Sequence, residues 1–330
     1  MRRRLPLLPA LATVLLLTAC GSEHAGTRNG GGVGIGASGS TQRTQVTEPA
    51  VDGVRITSTT LPSASASPGD SGGGPVEAER LPTGAAADSG ISAAYEVTNS
   101  GTADLTYTVR FDFTTSAGEV MADERVTVRA VGAGRTVRGT VRPGMLAPGA
   151  SRVTSVKVGE VTKVPADEAP TEAGVCPPSG IRLSADDGDA ATGLRVVGLI
   201  LENCGDRDYT VNGYPQVSLL DEGHEPIDGV KIFRGGGGIS TVTGFDDPPR
   251  PVTLKPGERA SAGLMWRNTT GFGTAVDVPY VRVRAEPDAA PVMVTPHLDL
   301  GTTGKLGVSP WRSAPEQQTG DGTTDERRRP

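Results

Sequence analysis

The chain has 330 residues, enough for one to three domains, with 46 Gly and 26 Pro gathered into a few stretches. Its net charge is −6, and it deepens to −9 once the three arginines at positions 2–4 are set aside, leaving 29 basic residues against 38 acidic. That balance argues against nucleic acid or another polyanion as a partner for the surface as a whole.

The first twenty residues have the character of an export signal. Arg2, Arg3 and Arg4 precede an apolar run from Leu5 to Leu17, broken by Pro6 and Pro9. The run is short of the roughly 20 apolar residues that a bilayer core requires. It ends in Leu17-Thr18-Ala19-Cys20, followed by Gly21-Ser22. This block resembles the lipobox of bacterial lipoproteins. The resemblance implies cleavage of residues 1–19 and lipidation of Cys20, through a diacylglyceryl thioether and acylation of the new amine. Two or three acyl chains give stable anchoring where one is marginal. The expected location is therefore the extracytoplasmic face of the cell membrane.

Residues 20–50 are small and polar, with Gly30-Gly31-Gly32 among them, and are expected to be a disordered linker. Thirty such residues span about 30 Å, which would keep the folded part close to the membrane. A first β-sandwich domain is expected over 51–166, with a low-complexity stretch at 61–90. Inside that stretch, Gly69-Asp70-Ser71-Gly72-Gly73 resembles the nucleophile motif of trypsin-like serine proteases. The match is rejected: the only upstream histidine is His24, in the linker, and no rigid scaffold surrounds Ser71.

Strict alternation then appears. Tyr107, Val109, Phe111 and Phe113 alternate with Thr108, Arg110, Asp112 and Thr114, the pattern of a half-buried strand. Tyr95 with Val97, and Val126 with Val128 and Ala130, behave alike, and Val153–Val164 supplies one or two strands more. Asn99-Ser100-Gly101, Ala117-Gly118 and Ala133-Gly134 mark the turns. No amphipathic helical run is present. The expected fold is all-β: two Ig-like antiparallel β-sandwich domains, the second over 174–312, with a disordered tail at 313–330.

In the second half, the nearly all-apolar Leu194–Leu201 suits a central strand buried on both faces. Further strands are expected around Val217–Leu220, Val230–Phe233, Ile239–Thr243, Ala260–Trp266 and Tyr280–Ala285. The halves echo each other. Gly53–Thr57 matches Gly180–Ser184 in residue type. Asn99-Ser100-Gly101 matches Asn203-Cys204-Gly205, and Leu146-Ala147-Pro148-Gly149 matches Leu254-Lys255-Pro256-Gly257, at offsets of 104 and 108.

With Cys20 taken by lipid, Cys176 and Cys204 remain. An even pair in an exported chain is expected to form a disulfide. A metal site would need ligands that no nearby histidine supplies.

Residues 174–312 carry Cys176, Asn203 with Gly205, Gly213-Tyr214-Pro215, Val217 with Leu219-Leu220-Asp221, and Leu254-x-Pro256-Gly257. In these features the second half resembles the domain of unknown function 4232, a family common in actinobacterial lipoproteins. The family often places a cysteine shortly before Gly-Tyr-Pro, and here Tyr209 stands at that point. The resemblance implies a fold and a setting, and no reaction.

The other candidate sites have plainer readings. His24, His224 and His297 show no ligand spacing and are expected on the surface. Asp186-Asp187-Gly188-Asp189 lacks the alternation and distal Glu of a calcium loop and suits a solvated turn, as does Asp246-Asp247. Arg234 followed by Gly235–Gly238 lacks a helix to complete a phosphate cradle and suits a flexible loop. Tyr214 and Trp266 suit the core. No cofactor or metal is expected. The function expected is non-enzymatic: an anchored interaction or scaffold protein with a protein partner in the envelope. The alternative is a module binding a small ligand or wall fragment through the Gly235–Gly238 and Asp246–Pro249 loops.

Overall fold

The computed structural model describes residues 41–63, 89–147, 149–242 and 244–314. These form a single compact unit, all β, with no helix among the described residues. The first half contains β1 (Thr41–Gln45), β2 (Val54–Pro62), β3 (Ser92–Thr98), β4 (Leu105–Thr114), β5 (Val120–Val131), β6 (Thr136–Val141) and β7 (Ser155–Pro165). One sheet runs β1-β2-β3-β6 and the other β5-β4-β7, all antiparallel. Their inner faces share one core, in which the alternation of β4 places Tyr107, Val109, Phe111 and Phe113 at 0–2% exposure.

Several local features depart from the sequence reading. β1 lies within the stretch expected to be linker. All five of its side chains are exposed, so no hydrophobic alternation announces it, yet it pairs with β2 along its whole length. Cys20 and residues 20–40, Ser71 and residues 64–88, and the tail from 315 lie outside the described residues. The alternation of Val126, Val128 and Ala130 breaks at a β-bulge: Ala130 takes φ +48° and is exposed, and Val131 turns into the core in its place. The Thr106 hydroxyl accepts the Ala130 N–H freed there (3.3 Å). β6 carries no clear alternation, and its Gly139 leaves room for the Tyr95 ring, which a Cβ would meet at 2.3 Å.

The second half contains β8 (Ile181–Ala185), β9 (Asp189–Ala191), β10 (Leu194–Asn203), β11 (Tyr209–Val211), β12 (Gln216–Leu220), β13 (Lys231–Arg234), β14 (Val252–Leu254), β15 (Arg259–Arg267), β16 (Asp277–Val278), β17 (Tyr280–Arg284), β18 (Val292–Val294), β19 (Leu298–Asp299), β20 (Lys305–Val308) and β21 (Arg312–Ala314). The large sheet runs β13-β20-β15-β10-β8, with β9 and β21 attached, and faces a sheet ordered β12-β17-β18 across a common core. β10 is central but alternates buried with half-buried residues, so it is not covered on both faces. β13 pairs with β20 in parallel, which departs from a purely antiparallel fold. Ile239 starts no strand: it closes a turn through its N–H to the Gly236 carbonyl (3.0 Å). β21 carries the fold two residues past the expected end.

The halves repeat one pairing scheme. β2-β3-β6 corresponds to β8-β10-β15. β4 pairs with β5 and β7, while β11 pairs with β14 and β12 with β17. A buried asparagine marks the common point. The Asn99 Nδ2 donates to the Ala103 and Val131 carbonyls (2.8 and 2.7 Å), and its Oδ1 accepts the Gly101 N–H (2.9 Å). The Asn203 Nδ2 donates to the Arg207 and Leu254 carbonyls (2.7 and 2.8 Å), and its Oδ1 accepts the Gly205 N–H (3.1 Å). The Asn99 carbonyl accepts the Gly134 N–H, as the Asn203 carbonyl accepts that of Gly257. The structural counterpart of Leu254-Lys255-Pro256-Gly257 is therefore Val131-Gly132-Ala133-Gly134, not Leu146-Ala147-Pro148-Gly149.

Candidate functional site

The two halves meet along β7. One edge of β7 pairs with β4. On the other, the Lys163 N–H donates to the Tyr280 phenol oxygen (3.1 Å), and the Lys163 carbonyl accepts from His224 Nε2 (2.8 Å). The His224 ring stands edge-on to Tyr280 with centroids 4.6 Å apart. Val164, Leu220, Tyr280 and Met293 make a small core beneath. Burial raises the Tyr280 phenol above its usual range, more than the Lys163 N–H lowers it, with Glu222, Asp52 and Glu160 adding to the rise. His297 Nε2 lies 2.7 Å from Glu160 on β7. Both histidines thus join the halves: His224 is half-buried there, whereas His297 stays exposed, on the surface as expected. Nothing in their local sequence shows this, because Lys163 is 61 residues from His224 in the chain.

The segment between the halves is strapped down at both ends. The Ala166 N–H donates to the Asp104 carbonyl (3.0 Å), and Arg129 Nη1 to that of Pro170 (2.7 Å). On the other side, the Met293 N–H donates to the Glu168 carbonyl (2.8 Å), and Arg282 pairs with the Glu168 carboxylate (2.7 Å). Beside this strap lies a cleft of about 590 Å³. Its walls are the strap, Pro177–Ser179, the start of β8 and the Ala285–Val292 loop, and its surface is mainly Ala, Pro, Leu and Val. The volume lies within the roughly 300–1,000 Å³ typical of ligand sites. Tyr209 also lines it, its phenol held above the usual range by burial and then by the charge of Glu286. The strap and cleft were not foreseen, since they assemble from four separate stretches of chain.

Cys176 and Cys204 form the expected disulfide, with Cα atoms 5.6 Å apart. It ties the entry into the second half to the turn held by Asn203. Asp186 fastens a turn over β10, its Oδ1 accepting the Gly188 and Gly198 N–H groups (3.0 and 2.7 Å). Among the described residues no group of three or more His, Cys, Asp or Glu could hold a metal ion. The Gly235–Gly238 run is not a free loop. Gly235 and Gly236 are buried, the Gly235 N–H donates to the Val308 carbonyl (2.7 Å), and the Gly236 N–H donates to Asp246 Oδ1 (2.7 Å). The two loops nominated for ligand binding therefore meet, but as a packed joint. Trp266 is a core residue at 2% exposure, and Tyr214 is half-buried beneath the Arg234 guanidinium, 5.5 Å from its ring. Trp311 escaped the sequence reading because it stands beside the expected tail. It is 2% exposed and donates its indole N–H to the Ala285 carbonyl (3.1 Å).

The fold and this geometry define an all-β, β-sandwich-like protein whose second half is closed by a disulfide. Residues 176–312 match the family model of the domain of unknown function DUF4232, so the chain carries a DUF4232 domain. No curated protein matches the sequence.

Proposed function

We propose that the protein is a lipid-anchored extracytoplasmic lipoprotein that works without catalysis, by contact with another protein of the cell envelope. In this reading both halves are Ig-like sandwiches, the anchor is Cys20, and neither cofactor nor nucleic acid is involved. The lipobox-like block and the disulfide, which suits an oxidising compartment, support the setting. The observation that carries the contact role is the strap. Hydrogen bonds to both halves hold residues 166–170 in place, so the chain presents one pre-organised surface with a cleft beside the junction.

The test has two parts. Cys20→Ala should release the protein from the membrane fraction and remove a lipid-sized mass, and unchanged retention with no lipid on the native chain overturns the anchor. In-cell crosslinking followed by mass spectrometry should then recover one dominant envelope protein. Turnover of any substrate that a single side-chain change abolishes would refute the non-enzymatic reading.

A further inference from the structure

We propose that the outer edge of β8 accepts an extended peptide as an added strand, whose side chains enter the adjoining cleft. The fitting peptide has small apolar residues and a lysine or arginine. This rests on the contact role above and names its surface and the chemistry of its partner.

The backbone argument comes from ladder parity. Among the described residues, β8 pairs with β10 on one side and with no strand on the other. The Asp186 N–H donates to the Gly198 carbonyl, and the Cys204 N–H to that of Gly180. In an antiparallel ladder bonded pairs alternate, so Arg182 and Ser184 direct their backbone groups at β10. Ile181, Leu183 and Ala185 then direct theirs outward. The Ser179 hydroxyl serves the outward groups of Ile181 (3.2 and 3.3 Å). Those of Leu183 and Ala185 meet no hydrogen-bond partner among the described residues. Leu183 is only 4% exposed and lines the cleft. A strand edge with unserved groups beside an open cleft is a template for an added strand. Other edges nearby are already served, β7 by Tyr280 and His224 and β18 by the strap.

Charge selects the occupant. Asp167 and Asp288 both line the cleft, and neither has an ion pair or a hydrogen bond to its side chain among the described residues. The cation there, Arg182, is already bound to Glu202. The cleft therefore offers an apolar floor with two unmatched carboxylates, which complements a basic side chain. A small apolar amine would meet those carboxylates but leave the strand edge unserved. A peptide satisfies both, as in strand addition generally.

Fluorescence anisotropy of the full chain in detergent tests this. The probe is a labelled octapeptide alternating Val and Thr with one central Lys. Saturable binding is expected, weakened about tenfold or more when Glu replaces the Lys. Ala185→Pro should weaken it by about tenfold or more, because it deletes one outward N–H at an edge position and spares the β10 ladder. Should that variant misfold, the pair Asp167→Asn and Asp288→Asn decides the matter by abolishing the preference for Lys over Glu. No saturation at millimolar peptide overturns the proposal, as does binding indifferent to these changes. So does dodecylamine binding in the cleft where the peptide does not. Peptide binding only after residues 64–88 are replaced by a short Gly-Ser link would assign the edge to the chain's own segment and overturn an external partner. In cells, a photo-crosslinker at Ser184 should capture the same partner as one at the exposed Glu172, which follows the strap and the cleft-lining Thr171. Capture from Glu172 alone refutes the β8 edge and leaves the contact role standing, and capture from neither counts against both.

Discussion

Replacing Asn203 by Ala tests the hydrogen-bond logic of the second half. The side chain is 1% exposed and makes three bonds, to the Arg207 and Leu254 carbonyls and from the Gly205 N–H. Leu254 is itself 1% exposed, so its carbonyl has no access to water once the amide is gone. A bond lost at a buried acceptor, which keeps only its ladder partner Tyr209, costs about 1–3 kcal/mol. The Arg207 carbonyl lies in an exposed turn and recovers a water, so losing it and the Gly205 bond adds only about 1 kcal/mol. The expected total is about 2–4 kcal/mol. Asn203→Asp should cost at least as much, because it turns a carboxylate oxygen towards two carbonyls. Urea unfolding followed by tryptophan fluorescence is the assay, since Trp266 and Trp311, the only two tryptophans, are both buried in this half. A loss for Ala below about 0.5 kcal/mol, or a milder loss for Asp than for Ala, would refute the reasoning.

Three further outcomes are expected. Breaking the Cys176–Cys204 bond with paired serines, which opens a loop of 28 residues, should lower stability by about 3–4 kcal/mol in the same unfolding assay. Gly139→Ala should cost about 1–3 kcal/mol, because the new Cβ meets a Tyr95 ring that packs 4.9 Å from Phe111 and has nowhere to go; an unchanged midpoint would show that the ring yields. Burial raises the phenols of Tyr95, Tyr107, Tyr209 and Tyr280. An acid raised in the folded state adds stability below its unfolded value, about 10 for tyrosine, and that stability is lost as pH rises through the folded value. The melting temperature should therefore be insensitive to these groups below about pH 10 and fall above it, with phenolate absorbance appearing alongside unfolding. Phenolate forming at the ordinary pH with the fold intact would contradict it.

The residues that announced the fold were those whose environment repeats at short range. β4 alternates because one face is core throughout, and the pair of cysteines could be matched by counting. β1 and β6 escaped notice because edge and surface strands need no apolar alternation: all of β1 is exposed, and β6 buries only Val141 fully. The bulge at Ala130 shifted the phase of β5, and no pattern of two survives an inserted residue. The asparagine repeat was legible, but its partner turn was not. Leu146-Ala147-Pro148-Gly149 shares letters with Leu254-Lys255-Pro256-Gly257, and Gly149 shares the positive φ of Gly257, whereas Val131-Gly132-Ala133-Gly134 shares the bond from its last glycine N–H to the asparagine carbonyl. The cleft and the histidine contacts depend on residues tens of positions apart, so no local pattern encodes them.

The bonding at Lys163 bears on how this chain can be divided. Its N–H and carbonyl are the edge groups of a sheet, and both are occupied by side chains from the other half. An uncovered strand edge is a template for pairing with another molecule. The second half therefore serves as a guard against self-association of the first. Cut at residue 165, the first half would keep its own core but lose that guard, so its solubility, rather than its stability, is what the division would sacrifice.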